Sequence, residues 1–302
     1  MIDIVLATFN GEKFLEPQLF SLMSQTYKDW RCIIHDDGSS DGTLKILKKF
    51  CQMDSRFKLI DDGIVLKDAA KNFLHALSFS DSDFVCFCDQ DDVWLDSKLE
   101  KLNSAILQKD NSFPQVVFSN SYLYRCSDSL IFGKATLAFP ETVEDLLYLN
   151  CGIQGSAGIF NKKAADILKI RLEKMCMHDF YLTLAGITLG EVSYLHENLM
   201  LYRQHEKNVT GSASGNLKSK YKTFFKSKIP LVSRRHLESL ESFYSVWNKN
   251  ISEKDRKLIE KFIDSASKNK FSNFKFLLFS KFNIYGSHLK LMVKFFLRPY
   301  IG

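Results

Sequence analysis

Phe84-Val85-Cys86-Phe87-Cys88-Asp89-Gln90-Asp91-Asp92-Val93-Trp94-Leu95 decides how this chain is read. Five apolar residues run straight into three carboxylates within four positions. A short unbroken run of β-formers predicts a strand buried on both faces, as in a parallel sheet. The carboxyl end of such a strand is the edge at which open α/β sheets bind ligands. Three carboxylates crowded there repel one another unless a cation sits among them, and divalent cations take such oxygen ligands. A solvated acidic turn is the plainer alternative.

Working outward, the flanking segments alternate strand and helix. Ile2–Ala7 reads as a first strand, ending in the turn Thr8-Phe9-Asn10-Gly11, with a helix from about Glu12 to Ser24. Arg31–His35 is a second strand that stops at Asp36-Asp37-Gly38-Ser39-Ser40-Asp41-Gly42, before a helix near Thr43–Cys51. Phe57–Asp61 is a short third strand, and a helix from about Asp68 to Phe79 leads back to the opening stretch. Strands separated by helices of this length indicate βαβ units. After the acidic turn, Asp96-Ser97-Lys98 opens a helix to about Gln108, and Gln115–Ser119 is another strand. Residues 120–160 are less regular. Thr142–Leu149 resembles a short helix, and Gly152–Gly158 is a small-residue loop that admits a ligand, a second backbone or a plain connection.

Three later features leave their purpose open. A helix near Lys162–Ile170 precedes His178-Asp179, which stands at the start of a helix running to Leu189. Asp179 there is either a helix cap or a carboxylate aimed at a substrate. After a possible strand at Glu191–Leu195, Tyr202-Arg203-Gln204-His205 brings two cationic or metal-capable groups together, either as surface residues or as part of a site. Residues 206–216, rich in Gly, Ser, Asn and Thr, read as a mobile lid.

The 302 residues, 45% hydrophobic and 25% charged, suit one large domain or two smaller ones. The net charge of +6 conceals an asymmetry. Residues 1–216 carry 22 Lys and Arg against 29 Asp and Glu, a net of −7, while residues 217–302 carry 19 against 6, a net of +13. In this basic tail, lysines interleave with aromatics such as Phe271, Phe274, Phe279 and Phe296. Arg234–Trp247 and Ser252–Ser267 read as helices; 271–298 has no spanning length. A membrane interface, ordinary packing on the body and single-stranded nucleic acid compete for this tail, but no nucleic-acid motif supports the last. Seven cysteines without a CxxC pair predict free thiols and a reducing compartment. Met1-Ile2-Asp3 runs into a strand, which predicts no signal peptide.

In order and spacing, Ala7-Thr8-Phe9-Asn10-Gly11, Ile33–Thr43, Ala70-Lys71-Asn72, Cys88–Trp94, His178-Asp179 and Tyr202–His205 resemble the family 2 glycosyltransferases. The likeness is to the bacterial branch of rhamnosyltransferases and other surface-polysaccharide enzymes, and covers about residues 1–210. It implies an α/β fold of the GT-A, Rossmann-like type: a mostly parallel sheet flanked by helices, with a helical C-terminal extension. Residues 1–216 would be the catalytic domain, with 1–110 the nucleotide-binding half and 111–216 the acceptor half; 217–302 would be the extension. It implies a nucleotide-sugar donor, UDP- or dTDP-linked, and a glycan or lipid-linked saccharide acceptor. Ala7, Thr8, Asn10, Asp36, Asp37, Lys71, Asp89, Gln90 and Arg203 would hold the nucleotide sugar. Asp91, with His205, would hold Mg²⁺ or Mn²⁺, with Asp92 the competing ligand. Asp179 would be the general base of an inverting displacement. Asp92, Trp94, Gly155 and His178 would contact donor sugar or acceptor. The enzyme would be cytoplasmic and peripheral on the inner face of the membrane, its tail on anionic lipid. Two rivals remain. Asp89–Val93 also fits the DxDx[TV] pattern of haloacid-dehalogenase-like phosphatases, although three strands precede it. A non-catalytic nucleotide-sugar or glycan binder docked on a membrane is the other.

Overall fold

The computed structural model describes residues 1–137, 139–204 and 229–302. The segment anticipated as a lid, His205 and the start of the basic tail lie outside these residues.

The N-terminal half is a parallel sheet. β1 (Ile2–Thr8), β2 (Trp30–Asp36), β3 (Phe57–Leu59) and β4 (Phe84–Asp89) lie in the order β3-β2-β1-β4 and are all parallel. The helices α1 (Glu12–Met23), α2 (Thr43–Met53) and α3 (Ala69–Ser78) connect them. Apolar runs dictate this half: every residue from Ile2 to Leu6 except Asp3 is a buried hydrophobic, and Val85–Cys88 are 0% exposed. Cys86 and Cys88 enter the same hydrophobic cluster, as small apolar side chains two apart on one strand do. None of the seven cysteines is in a disulfide.

Beyond β4 the sheet is mixed. β8 (Gly158–Asn161) pairs antiparallel with β4 and with β6 (Gln115–Arg125), while β9 (Glu191–Gln204) lies parallel to β6. β5 (Val93–Trp94) is antiparallel to β9, and β7 (Leu130–Lys134) is antiparallel to β6. Parallel pairing therefore dominates only the first half. The sequence reads a strand over Glu191–Leu195 alone; the structure has one strand of 14 residues, Glu191–Gln204. Its register against β6 shifts twice, between Phe118 and Asn120 and between Asn120 and Tyr122, and irregularities of this kind blur a two-residue period. The remaining body helices are α4 (Lys98–Leu107), α5 (Val143–Leu146), α6 (Lys162–Leu168) and α7 (His178–Leu189).

The C-terminal helices are α8 (Arg234–Trp247), α9 (Glu253–Ala266), α10 (Lys270–Leu278) and α11 (His288–Leu297). They do not stand apart from the body. Leu240, Phe243, Ile259, Phe262, Phe282 and Phe295 share one cluster with Val143, Tyr148 and Phe180. The Tyr148 and Tyr300 hydroxyls meet at 2.9 Å, and the Asn150 side chain binds the Leu231 carbonyl and the Ser233 amide at 2.8 Å each. Ordinary packing therefore accounts for the buried face of the tail. No helix of the described residues is long and apolar enough to cross a membrane.

Candidate active site

Register brings the first site residues to one edge. Ala7 stands opposite His35 on one side and Asp89 on the other, and Thr8 stands opposite Asp36. The turns that follow lock together. The Thr8 hydroxyl donates to Asp36 at 2.8 Å, and the Ser39 amide and hydroxyl donate to the same carboxylate at 2.8 and 2.6 Å. Asn10, at φ 46°, donates its amide to the Ser39 hydroxyl and accepts from the Ser40 amide. The Gln90 side chain pairs with both backbone groups of Phe9 at 3.0 Å, so it ties the β1 turn to the acidic turn.

Beside this corner lies a cleft of ≈ 350 Å³. Asp89, Asp91, Gly155, His178 and Asp179 all line it, together with Phe73, Gln154, Tyr202 and Tyr285. A second basin of ≈ 380 Å³ shares Leu137, Leu149 and Tyr285 with it. Burial, then the charge of Asp91, push the Asp89 carboxyl up to about 7, with a smaller push from Asp179. A carboxyl raised by burial and by a neighbouring carboxylate forms with that neighbour an oxygen donor set that a divalent cation relieves.

Asp179 lies in the first turn of α7, and the N-cap is Met177, so the cap alternative is not what the structure shows. Burial pushes its carboxyl up to about 6, against the lowering effect of the Phe180 amide that donates to it at 2.6 Å. His178 is the spacer behind it. Its ring stacks on Phe73 at 3.9 Å and meets Phe87 edge-on at 4.7 Å. Burial holds His178 down at about 3, so its imidazole is neutral at physiological pH. The small-residue loop resolves in favour of a close backbone. A Cβ on Gly152 would stand 2.4 Å from the Asp179 carbonyl, and one on Gly155 would stand 3.0 Å from His178 Nε2.

Other anticipated residues turn inward. Asp92 is fully buried, accepting from the Ser156 hydroxyl at 3.1 Å and the Arg203 amide at 3.3 Å. Within the acidic turn, Asp91 lines the cleft and Asp92 faces the core, so Asp92 offers no surface to a sugar. Trp94 is 3% exposed and lies under Lys98, so it packs rather than lines the cleft. Asp37 is buried and receives the Leu66, Lys67 and Asp68 amides, which fasten the segment before α3. Arg203 is also buried: Nε donates to the Asp91 carbonyl at 2.6 Å, and the guanidinium lies against Phe14 and Tyr124. It braces the acidic turn from behind. Lys71 is exposed on α3 and outside the cleft lining.

Two contributors have no motif. Lys98 is 0% exposed, its Nζ donating to the Ser156 carbonyl at 2.5 Å and lying 3.5 Å from the Trp94 ring. Burial pulls it down to about 8, while the nearby Asp92 and Asp89 charges favour its ionised form. The sequence places it only at a helix start. Tyr285, at φ 52°, reaches the cleft from between α10 and α11. The aromatic-rich tail signalled it only as one ring among many.

The acidic turn at the carboxyl end of β4 and the half-buried Asp179 thus face one cleft of an α/β protein. The family model for glycosyl transferase family 2 matches residues 3–167, more than half of the chain, and the chain belongs to that family. It is a glycosyltransferase, and its fold is GT-A. The chain is 30% identical over 233 residues to the dTDP-rhamnosyl transferase RfbG of Shigella flexneri, covering 72% of this chain and 77% of that protein. It is 26% identical over 223 residues to WfgD of Escherichia coli, a UDP-Glc:alpha-D-GlcNAc-diphosphoundecaprenol beta-1,3-glucosyltransferase, covering 73% and 84%. Among solved structures, S. aureus TarS 1-349 in complex with UDP superposes with a TM-score of 0.58 at 17% identity, covering 93% and 75%. The mannosyltransferase PcManGT of Pyrobaculum calidifontis, in complex with GDP-Man and Mn²⁺, gives 0.55 at 12% identity, covering 89% and 71%. At these identities the structural likeness is one of fold.

Proposed function

We propose that the protein is an inverting, metal-dependent glycosyltransferase. It moves a sugar from a UDP- or dTDP-linked donor to a hydroxyl of a lipid-linked saccharide in bacterial surface-polysaccharide synthesis. The observation that carries this reading is the single cleft that holds Asp89 and Asp91 with a raised Asp179. Relatives named for dTDP-rhamnosyl transfer and for glucosyl transfer to a diphosphoundecaprenol-linked sugar support the substrate classes.

The residues divide the work. Thr8, Asn10 and Asp36 form the rigid corner against which base and ribose lie. Asp89 and Asp91 would hold Mg²⁺ or Mn²⁺, and their mutual repulsion fits a cation there. The chemistry such a cation supplies is Lewis-acid neutralisation of the departing diphosphate. Asp179 Oδ takes the acceptor hydroxyl's proton as that oxygen attacks the anomeric carbon and the bond to the diphosphate breaks. One displacement inverts the configuration. Tyr285 and the adjoining basin give the acceptor a wall outside the donor corner.

The test is a panel of UDP- and dTDP-sugars with a polyprenyl-diphosphate saccharide, read as nucleoside diphosphate released with and without Mn²⁺. Metal-dependent release that requires the acceptor is expected. Asp91→Asn should lose at least about 100-fold of it, the scale on which single electrostatic groups at developing charge act. Asp92→Asn should keep its response to metal. Equal activity of wild type and Asp91→Asn would remove the metal assignment, and no release with any donor would remove the activity.

We also place the enzyme on the inner face of the membrane, peripherally, with residues 217–302 as the attached region. The exposed side of the tail supports this. Phe271, Phe279, Leu289 and Phe296 are 67%, 85%, 74% and 58% exposed among the lysines of α10 and α11. Apolar side chains of this size are each worth roughly 1.5–3 kcal/mol when buried, and each nearby lysine adds about 1 kcal/mol at an anionic surface. The triple variant Phe279→Ser, Leu289→Ser, Phe296→Ser should fail to sediment with phosphatidylglycerol vesicles at low salt, with its melting temperature kept. Unchanged sedimentation would sink the proposal. Truncation at residue 270 is a poorer test, because it also removes the buried Leu277, Phe282, Leu291 and Phe295.

A further inference from the structure

Three side chains from consecutive parts of the nucleotide half meet outside the cleft. His35 ends β2 but for one residue, Asp62 follows β3, and His75 sits in α3. Among the described residues they form the group whose possible metal-ligand atoms all lie within 4.8 Å of one another. His75 Nε2 is 2.7 Å from one Asp62 oxygen and His35 Nε2 is 3.5 Å from the other. The two imidazoles meet edge to face at 4.5 Å.

Asn72 decides which nitrogen of His35 is available. Its Nδ2 donates to the Thr8 carbonyl at 3.2 Å, so its Oδ1 is the atom that faces His35 Nδ1 at 2.6 Å. An amide oxygen only accepts, so Nδ1 carries the proton. In the neutral ring, His35 Nε2 then presents a bare lone pair to a carboxylate oxygen. His35 is 1% exposed, so water does not relieve this opposition of two acceptors. A cation between them does. A histidine whose far N–H is tied to an oxygen acceptor is also the usual arrangement of a metal ligand. Two imidazoles and a carboxylate suit zinc, whereas magnesium prefers oxygen alone.

We propose that His35, His75 and Asp62 form a second cation site, separate from the acidic turn, for an ion of the Zn²⁺ class. Asp62 is the exposed member, so the fourth position opens to solvent. The ion would fasten the segment after β3 to the end of β2. Asp37 already holds residues 66–68 of that segment. Occupancy would therefore stiffen one wall beside the Asp36 corner. That consequence rests on the nucleotide reading, whereas the site itself does not.

The experiment uses the full-length Asp91→Asn protein, stripped with chelator and titrated with Co²⁺ as a coloured stand-in. One equivalent should bind with visible absorption of tetrahedral intensity, and Zn²⁺ should displace it and raise the melting temperature. His75→Ala and Asp62→Asn in the same background should each weaken Co²⁺ binding by at least about 100-fold, the upper end of what losing a ligand's mere supporting partner costs. His35 is buried in the fold, so the two more exposed ligands carry the test. Absence of the tetrahedral spectrum, or a spectrum unchanged in both variants, would overturn the site.

Discussion

Asp179→Asn is expected to lower sugar transfer by roughly 10²- to 10⁴-fold, the range over which a positioned general base acts, while leaving nucleotide affinity unchanged. The pH dependence should identify the same group. With burial pushing its carboxyl up to about 6, the base is ionised above that pH and lost below it. At saturating metal, kcat/KM should be flat above about pH 6 and fall about tenfold per unit beneath it, and the variant should lack that limb. Stability should move the opposite way. A carboxyl whose folded pKa lies above its unfolded value stabilises the protein when protonated, and that contribution is lost as pH rises through the folded value. A rise from 3.8 to about 6 corresponds to as much as ~3 kcal/mol. Asp179→Asn should therefore melt higher than wild type at neutral pH and no higher below about pH 4. Wild-type turnover in the variant would remove Asp179 as the base. A lower melting temperature together with lost activity would show that it serves the fold instead.

Gly152→Ala should come near the same loss of activity through geometry alone. The added Cβ meets the Asp179 carbonyl carbon and oxygen at 2.4 Å and the Phe180 nitrogen at 2.5 Å. All three are backbone atoms, so no side chain can rotate away. Either the loop or the first turn of α7 must move, and overpacking of this kind costs about 1–3 kcal/mol. A base displaced by about an ångström loses on the order of 10²-fold in rate. The expected result is a fall in kcat with nucleotide affinity kept and a modestly lower melting temperature. Gly155→Ala, whose Cβ meets only the His178 and Asp179 side chains at 3.0 and 3.2 Å, should do much less. Full activity in Gly152→Ala would mean that the loop does not position the base.

The strands β1, β2 and β4 are legible in the sequence because each is a continuous apolar run ending in a polar turn. The acidic turn is legible for a related reason, as carboxylates at the carboxyl end of an apolar strand, whereas Asp179 is singled out only by the family resemblance, since a carboxylate at a helix start is equally a cap. What the sequence does not carry is the direction in which a side chain turns at the end of a strand. Asp91 and Asp92 are neighbours, yet one faces the cleft and the other the core, because the short β5 pulls the chain across to β9. Arg203 looks like a phosphate ligand in one dimension. In three, it lies behind the turn, 112 residues away in sequence from the carbonyl it binds. Lys98 is invisible for the same reason, since a lysine at a helix start is ordinarily solvated and only long-range packing buries it. In sequence, Gly152 admits a ligand, a backbone or a plain connection equally; only the passage of α7 against it selects the backbone.

Tyr285 gives the C-terminal helices a meaning beyond their packing. The part of the chain that the family model matches ends at residue 167, and it contains the acidic turn but neither Asp179 nor Tyr285. The far wall of the cleft is thus supplied by a segment outside the part that the family model matches. On the reading proposed above, the helices on either side of Tyr285 also carry the exposed Phe271, Phe279, Leu289 and Phe296, so the wall toward the acceptor and the surface toward the membrane would be built from one rigid unit.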